Sequence, residues 1–282
     1  ICPFDNEKLD VIGWIIPGMR NLLDLTCPHC ARKFYGDLPP GHGRDYPCLL
    51  DSESGMVFPK TSSSLGVWFK NWLEDSWKNR VEAPLPLEIE TFQKIKRPIL
   101  LNCLDTLYGH SVLKLLNAQF HLDNQSDYDL IILVPRFLRW MVPNGAAAIW
   151  TVDLPLIQGT QWNEWLAQQI HYQLDQFDEC YISSADSHPQ LDSFDIQRFT
   201  GVIPFDINQW IGSPPPTPKV TFIWREDRTW SDPSIFTLPF QFELKVKQRI
   251  MKNVNKLDLQ LKAFCLLADS LRQKFPGICL AV

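Results

Sequence analysis

Two cysteine-containing turns near the start of the chain have the residue types of a metal site. The segment CPHC holds Cys27 and Cys30, and the segment CPFD holds Cys2 and, where a second cysteine would stand, Asp5. Two such turns separated by roughly 15 to 20 residues are typical of a zinc ribbon, because each turn directs both ligands at one tetrahedral centre. The separation here, 21 residues, is slightly longer. We therefore predict a structural zinc ion held by Cys2, Asp5, Cys27 and Cys30.

The fourth ligand is open at this point. Zinc accepts carboxylate oxygen, which suits Asp5, and Asn6 tolerates the left-handed backbone that often follows such a turn. Three other residues with suitable side chains are alternatives: His29, His42 and Cys48. In a metal-free interpretation, Cys27 and Cys30 are a reduced pair in a loop. Four protein ligands would leave zinc no open position, so its role would be structural rather than catalytic.

Four short apolar runs between residues 97 and 211 are bounded by turn-forming residues: RPILLNCLD, YDLIILVPR, AAAIWTVDLP and ECYISSA. Strands that are buried on both faces are continuously hydrophobic, so these runs are typical of a parallel sheet. The segments SVLKLLNAQFHL and QWNEWLAQQIHYQLDQF have the 3.6-residue periodicity of covering helices. We therefore predict a Rossmann-like α/β domain over residues 97–211.

The residues that follow these strands are candidates for a ligand site, because ligands of open parallel sheets bind at the carboxyl ends of the strands. His110 and Asp105 follow the first run and are proton acceptors, so they are the candidate catalytic residues. Arg136 and Asp153 follow the second and third runs and would line the substrate cleft. Structural roles are the alternative, since aspartate often accepts backbone N–H bonds in turns and at helix N-caps, and His110 is placed to cap a helix.

Two further arginines lie beyond a proline-rich linker at residues 212–218, in the segment VTFIWREDR. Arg225 and Arg228 follow a predicted strand and could hold phosphate through bidentate hydrogen bonds. Surface ion pairs with Glu226 and Asp227 are the alternative. Proton acceptors that face arginines suit group transfer from a phosphorylated donor.

Missing motifs narrow the classes of function. The chain has neither a G-x-x-x-x-G-K-[ST] phosphate loop nor a G-x-G-x-x-G fingerprint, so ATP hydrolysis and standard dinucleotide oxidoreduction lose support. The segment SSADSH contains Ser, Asp and His, but residues so close in sequence rarely form a catalytic triad. A G-x-S-x-G elbow is also absent, which disfavours a hydrolase.

The succession RPILLNCLDTLYGHSVLKLLNAQ, DLIILVPRFLRWMVP, AAIWTVDLP and VTFIWREDRTW resembles bacterial GT-B glycosyltransferase-like proteins with an N-terminal zinc ribbon, over roughly the whole chain. The loop FIWREDR is loosely similar to the arginine loop of fucosyltransferase-like enzymes, but it lacks the leading histidine. The resemblance implies transfer of a sugar from a nucleotide-sugar donor to an acceptor, without a metal ion at the reaction centre. It also implies that Arg225 and Arg228 bind the donor diphosphate.

A non-enzymatic binding module is the alternative function. In that case the ribbon and an aromatic helix would dock a partner, and the α/β cleft would be vestigial. The segment SLGVWFKNWLEDSWKNR places Trp68, Trp72 and Trp77 at helical spacing on one apolar face. Docking of this helix on the next domain explains the apolar face more simply than an aromatic ligand-binding site does. A nucleotide-sugar epimerase of the same shape is a third alternative.

The predicted fold class is α/β, of the GT-B type, in four segments. These are a zinc-ribbon module at residues 1–50, a Trp-rich helical connector at 51–96, an acceptor-side Rossmann-like domain at 97–211, and the start of a donor-side Rossmann-like domain at 219–282. The last segment offers two strands, KVTFIW and ICLAV, and one long helix. This is too little for a doubly wound domain, so we expect the native protein to continue beyond Val282 and this part alone to be inactive.

Composition and charge exclude some partners. A net charge of −5 without basic blocks argues against nucleic-acid binding. No apolar run approaches the roughly 18 residues of a membrane span, so no span is expected. Eight cysteines, some in apolar contexts such as LLNCL, suit a reducing compartment, which predicts a cytoplasmic protein.

Overall fold

The computed structural model describes residues 1–38, 46–59, 64–184, 194–203, 219–221 and 279–281. The chain divides into two compact units, Ile1–Pro204 and Phe205–Val282. The first unit contains helices and two five-stranded sheets, so the predicted mixed α/β class is confirmed.

The first sheet is an antiparallel meander in which each strand pairs with the next along the chain. The side chains of Leu22, Phe34 and Leu50 are fully buried on it. Its first strand carries a bulge between Val11 and Gly13. The strands are β1 (Asp10–Ile15), β2 (Leu22–Thr26), β3 (Lys33–Asp37), β4 (Cys48–Asp51) and β5 (Val57–Pro59).

Helix α1 (Ser64–Lys78) is the predicted amphipathic aromatic helix. It packs mainly on β4 and β5 of the first sheet, where Leu73 is fully buried. Trp77 also contacts Trp162 from the later part of the first unit. The three indoles have different surroundings: Trp68 is 42% exposed and contacts Trp72 with its ring tilted, whereas Trp77 contacts Trp162.

The second sheet has the strand order β10-β7-β8-β9-β6. Four of its strands correspond to the four predicted apolar runs and pair in parallel. The fifth, β6, was not predicted and pairs antiparallel with β9, so the sheet is mixed rather than wholly parallel. The strands are β6 (Leu87–Thr91), β7 (Pro98–Asn102), β8 (Asp129–Pro135), β9 (Ala148–Val152) and β10 (Tyr181–Ile182).

Helices cover both faces of this sheet, as the sequence periodicity predicts. Leu115 and Phe199 pack with Ile132 on one face, and Leu166 and Ile170 pack on the other. The run SVLKLLNAQFHL forms two helices that meet at Asn117 rather than one. The helices are α2 (Tyr108–Leu116), α3 (Ala118–Asn124), α4 (Glu164–Leu174) and α5 (Ile196–Thr200), with 3-10 turns at Arg136–Met141 and Leu156–Gln158.

The loop between β1 and β2 joins the two sheets of the first unit. Asn102, at the carboxyl end of β7, donates from Nδ2 to the Gly18 carbonyl and to Asn21 Oδ1, both at 2.9 Å. Ile16 is buried in the core of the second sheet. A Cβ atom on Gly18 would lie 2.8 Å from the Gln161 carbonyl oxygen, so only glycine permits this approach. The carboxyl end of β7 is therefore covered by the first sheet's own loop.

In the second unit, the described residues form two short strands, β11 (Lys219–Thr221) and β12 (Cys279–Ala281), which pair in parallel. They lie within the two runs predicted to be strands. The predicted linker at 212–218 and the long helix lie outside the described residues. None of the helices in the described part of the chain combines the length and the apolar character that crossing a bilayer requires.

Candidate functional site

The four predicted metal ligands lie together. One ligand atom from each of Cys2, Asp5, Cys27 and Cys30 can be chosen so that all lie within 4.8 Å of one another. The Sγ atoms of Cys2 and Cys30 are 3.8 Å apart, and Cys27 Sγ lies 3.3 Å from Asp5 Oδ2. Cys2 and Cys27 are buried. These residues are close enough to hold a metal ion.

Two turns of equivalent backbone structure position the ligands. The Asn6 N–H donates to the Cys2 carbonyl at 3.0 Å, and the Ala31 N–H donates to the Cys27 carbonyl at 2.9 Å. Asn6 and Ala31, each four residues after the first cysteine of its turn, have φ values of 62° and 59°. The prediction that Asn6 takes up a left-handed conformation is confirmed. At Ala31 the same conformation is strained, because a Cβ atom disfavours it.

The alternative fourth ligands occupy other positions. His29 is largely exposed and its Nδ1 lies 3.1 Å from Asp5 Oδ2, so it contacts the carboxylate from outside the cluster. Cys48 lies in β4, where its thiol donates to the Tyr46 carbonyl and burial raises its pKa to about 11. His42 lies outside the described residues.

The electrostatics of the cluster favour a negative charge on Asp5. Hydrogen bonds from the Cys2 thiol, and then from the Glu7 N–H and the Cys27 and Cys30 thiols, outweigh the effect of burial and hold the pKa of Asp5 well below its ordinary value. Asp5 is therefore ionised at neutral pH, which is the form in which a carboxylate binds a metal ion.

Asp105 and His110, the candidate catalytic residues, also lie together. Asp105 Oδ1 is 3.4 Å from His110 Nδ1 and accepts the Leu107 N–H at 3.0 Å. Because it accepts the Leu107 N–H, Asp105 has the turn role that is the alternative to catalysis, and its side chain is fully buried. The carboxylate thus holds both the start of α2 and one nitrogen of the imidazole.

Lys114 is the residue of this site that the sequence reasoning missed. Its Nζ lies 2.9 Å from Asp105 Oδ2 and donates to the Leu104 carbonyl at 2.8 Å, with the side chain 6% exposed. Burial alone would raise the pKa of Asp105, but the Lys114 charge and the hydrogen bonds from His110, Lys114 and Leu107 outweigh it and hold that pKa well below its usual range. The only signal in the sequence was a lysine inside the apolar run SVLKLL.

Arg136 and Asp153, the predicted cleft residues, pair with each other. Arg136 Nε lies 3.5 Å from Asp153 Oδ2, and its Nη2 also pairs with Glu88 of the antiparallel strand β6. Both side chains are at least half exposed. A ligand that bound Arg136 would have to compete with these two carboxylates.

The predicted phosphate ligands Arg225 and Arg228 lie outside the described residues, as do Asp186 and His188 of the segment SSADSH. No family model, curated protein or solved structure matches this chain. The resemblance to GT-B glycosyltransferase-like proteins and the cytoplasmic location therefore stay predictions from the sequence.

Proposed function

We propose that the N-terminal sheet is a zinc ribbon in which Cys2, Asp5, Cys27 and Cys30 hold one structural Zn²⁺ ion. The observation that carries this proposal is the spacing of the ligand atoms. Zinc–sulfur bonds of about 2.3 Å and zinc–oxygen bonds of about 2.0 Å at tetrahedral angles place sulfur atoms about 3.8 Å apart and sulfur about 3.5 Å from oxygen. The corresponding distances here are 3.8 Å for Cys2 to Cys30 and 3.3–3.5 Å for Cys27 to Asp5.

The donor set selects zinc among the common metal ions. Ca²⁺ and Mg²⁺ take oxygen ligands almost exclusively, whereas three thiolates with one carboxylate suit a borderline-soft ion that accepts tetrahedral geometry. Four protein ligands complete the coordination shell, so the ion supplies stability rather than catalysis.

The ion would compensate for a small core. The cluster of buried apolar residues beside the ligands consists mainly of Leu9, Leu25 and Phe34. Metal binding to such a site contributes directly to the free energy of folding, because the unfolded chain has no preformed site. Zinc would join the turn that precedes β1 to the turn between β2 and β3.

Metal analysis of the purified chain tests the proposal. We expect one zinc ion per chain by mass spectrometry, and a thiolate-to-metal charge-transfer absorption after cobalt substitution. Asp5→Cys should keep the metal and raise that absorption by about one third, since three thiolates become four. Asp5→Ala removes a direct ligand and should weaken zinc binding by more than the roughly 10- to 100-fold that loss of an outer-shell partner costs. Asp10→Ala, at an exposed neighbouring carboxylate, is the matched control and should leave zinc binding unchanged.

A metal-free wild-type chain from zinc-supplemented cells would overturn the zinc proposal. Unchanged zinc affinity in Asp5→Ala would remove Asp5 from the ligand set. The same measurement on His29→Ala would then decide whether His29, which contacts Asp5, is the fourth ligand instead.

A second function, transfer of a sugar from a nucleotide-sugar donor, is favoured by the pairing of Asp105, in the loop after β7, with His110 in the first turn of α2. A fixed carboxylate beside Nδ1 keeps the proton on that nitrogen, so that Nε2 can accept a proton from an acceptor hydroxyl. His110 would be the general base and Asp105 would orient it. Arg225 and Arg228 would neutralise the departing diphosphate.

Nucleotide-sugar binding and hydrolysis by a chain that includes any downstream sequence test this second function. His110→Ala should lower the rate about 10²- to 10⁴-fold, as loss of a general base does, and Arg225→Ala should weaken donor binding. Lys70→Ala, at a partly exposed lysine of α1, is the control for a non-specific loss of charge. Wild-type rates in both His110→Ala and Arg225→Ala would remove the assignment.

A further inference from the structure

A cavity of about 210 Å³ lies between α3, β10 and the beginning of β7, away from the metal ligands and from Asp105. The rings of Phe120, Tyr128 and Tyr181 line it, together with the polar groups of His121 and Ser183. A cavity of about 150 Å³ accommodates a benzene ring, so this one has room for a small organic group.

A chain of two short hydrogen bonds crosses the wall of this cavity. Ser183 Oγ lies 2.7 Å from His121 Nε2, and His121 Nδ1 lies 2.5 Å from Gln125 Oε1. The amide oxygen can only accept, so Nδ1 carries the proton and donates it to Gln125. Nε2 is then an acceptor, and the Ser183 hydroxyl donates to it. This is the tautomer that a general base for a serine nucleophile requires.

The surroundings keep the imidazole uncharged and fixed. Burial lowers the pKa of His121, an effect that its hydrogen bond to Gln125 only partly offsets. His121 is 7% exposed and sits on α3, one turn before Gln125 at the end of that helix. The Ser183 N–H donates to the Leu100 carbonyl at 2.8 Å, which fixes the serine just beyond the end of β10.

We propose that Ser183 is a nucleophile activated by His121, that Gln125 positions the imidazole, and that this site hydrolyses small carboxylic esters. Ser183 lies 62 positions after His121, so the sequence alone does not reveal the pair. The proposed site uses the first serine of SSADSH but a histidine from a different element, α3. The site is independent of both the zinc ribbon and the proposed sugar transfer.

The reaction balances with water as the only co-reactant. Ser183 Oγ bonds to the ester carbonyl carbon while its proton passes to His121 Nε2. The tetrahedral intermediate then breaks its bond to the alkoxy oxygen, which takes the proton from Nε2 and leaves as the alcohol. Water attacks the acyl-serine, giving a proton to Nε2, and the carboxylic acid leaves as that proton returns to Ser183 Oγ.

The shape of the site limits the substrate. Ser183 is only 2% exposed, so a bulky acyl group cannot reach Oγ. The described residues of the lining have aromatic, aliphatic and neutral polar side chains without Asp, Glu, Lys or Arg, which favours a short uncharged acyl chain over a charged one. We therefore choose 4-nitrophenyl acetate and a fluorophosphonate probe as the reagents for the test.

The test measures ester hydrolysis and covalent labelling on the full chain. We expect the fluorophosphonate to attach to Ser183, located by peptide mass spectrometry, and 4-nitrophenyl acetate to be hydrolysed faster than in buffer. Ser183→Ala and His121→Asn should fall to the buffer rate and lose the label. Ser184→Ala, at the exposed neighbouring serine, is the matched control and should retain both.

A pH profile separates positioning by Gln125 from a purely structural role. Gln125→Glu places a carboxylate beside Nδ1, which favours the imidazolium, so the acidic limb of the rate profile should move to higher pH by about one unit or more. Mapping of the label on the wild-type chain does not depend on the folding of any variant. Absence of a label at Ser183 in the folded wild-type protein would overturn the proposal and leave Ser183 and His121 as a buried structural pair.

Discussion

The buried ion pair between Lys114 and Asp105 predicts a large and strongly non-additive effect of mutation. Lys114→Met removes the charge and keeps most of the side-chain volume, and Asp105→Asn keeps the shape. The Nζ–Oδ2 distance is 2.9 Å and the two side chains are 6% and 0% exposed. At an effective dielectric constant of 20, two unit charges at this distance attract by about 6 kcal/mol before the cost of removing them from water.

Each single variant leaves one buried charge without its partner. We therefore expect either change to lower the free energy of unfolding by about 3–5 kcal/mol. The double variant buries no unpaired charge, so it should be more stable than either single variant. Urea unfolding followed by tryptophan fluorescence at fixed zinc concentration measures all three values. If the decrease in the free energy of unfolding of the double variant equals the sum of the two single decreases, the two residues act independently and the reasoning is wrong.

The same pair sets the response of stability to acid. The pKa of Asp105 is lowered in the folded state, so its contribution is complete above the unfolded value of about 3.9 and is lost as the pH falls below that value. The stability difference between the wild type and Asp105→Asn should narrow as the pH falls from about 4 to about 2. A difference that stays constant over this range would show that Asp105 titrates normally.

Five further substitutions test the packing. Gly159→Ala should lower the free energy of unfolding in urea by about 1–3 kcal/mol, because its Cβ would lie 2.6 Å from backbone atoms of the loop after β7. Gly109→Ala in α2 has open space around it and should not destabilise the protein. Ala31→Gly should raise the midpoint temperature of unfolding, because relief of about 1–2 kcal/mol of left-handed backbone strain exceeds the entropic cost of glycine. A lower midpoint would contradict the left-handed turn at this residue. Leu73→Ala should lower the free energy of unfolding by about 2–5 kcal/mol, and Trp68→Ala, at a half-exposed residue, by less than about 1 kcal/mol. The reverse order would mean that the opposite face of α1 packs on the sheet.

Features that depend on local chemistry could be predicted from the sequence. The strand PILLN is buried at every position, so its sequence is apolar at all but its last residue and is recognised as a strand without knowledge of its partners. The metal ligands could also be predicted, because each half of the set lies within one four-residue turn. Asn6 was recognised as a residue for the left-handed region on the same local grounds.

Features that depend on distant pairing could not be predicted. Strand β6, LEIET, is mostly exposed and lies at the edge of the sheet, where it pairs with β9 and where Glu88 and Glu90 form ion pairs with Arg136 and Arg139, 48 and 49 residues later. Its alternation of Leu and Ile with Glu has the two-residue period of a strand, but the segment alone does not show that it pairs with β9, far along the chain. The ion pair of Lys114 with Asp105 and the contact of His121 with Ser183 depend in the same way on how the helices lie across the sheet.

The hydrogen bonds from Asn102 into the β1–β2 loop have a consequence for how the first unit unfolds. Because Ile16 is buried in the core of the second sheet, neither sheet has a complete apolar core by itself. A chain divided near residue 50 would expose this shared surface to water on both pieces. We therefore expect residues 1–204 to unfold as one cooperative unit, so that removal of the proposed zinc ion should also destabilise the second sheet.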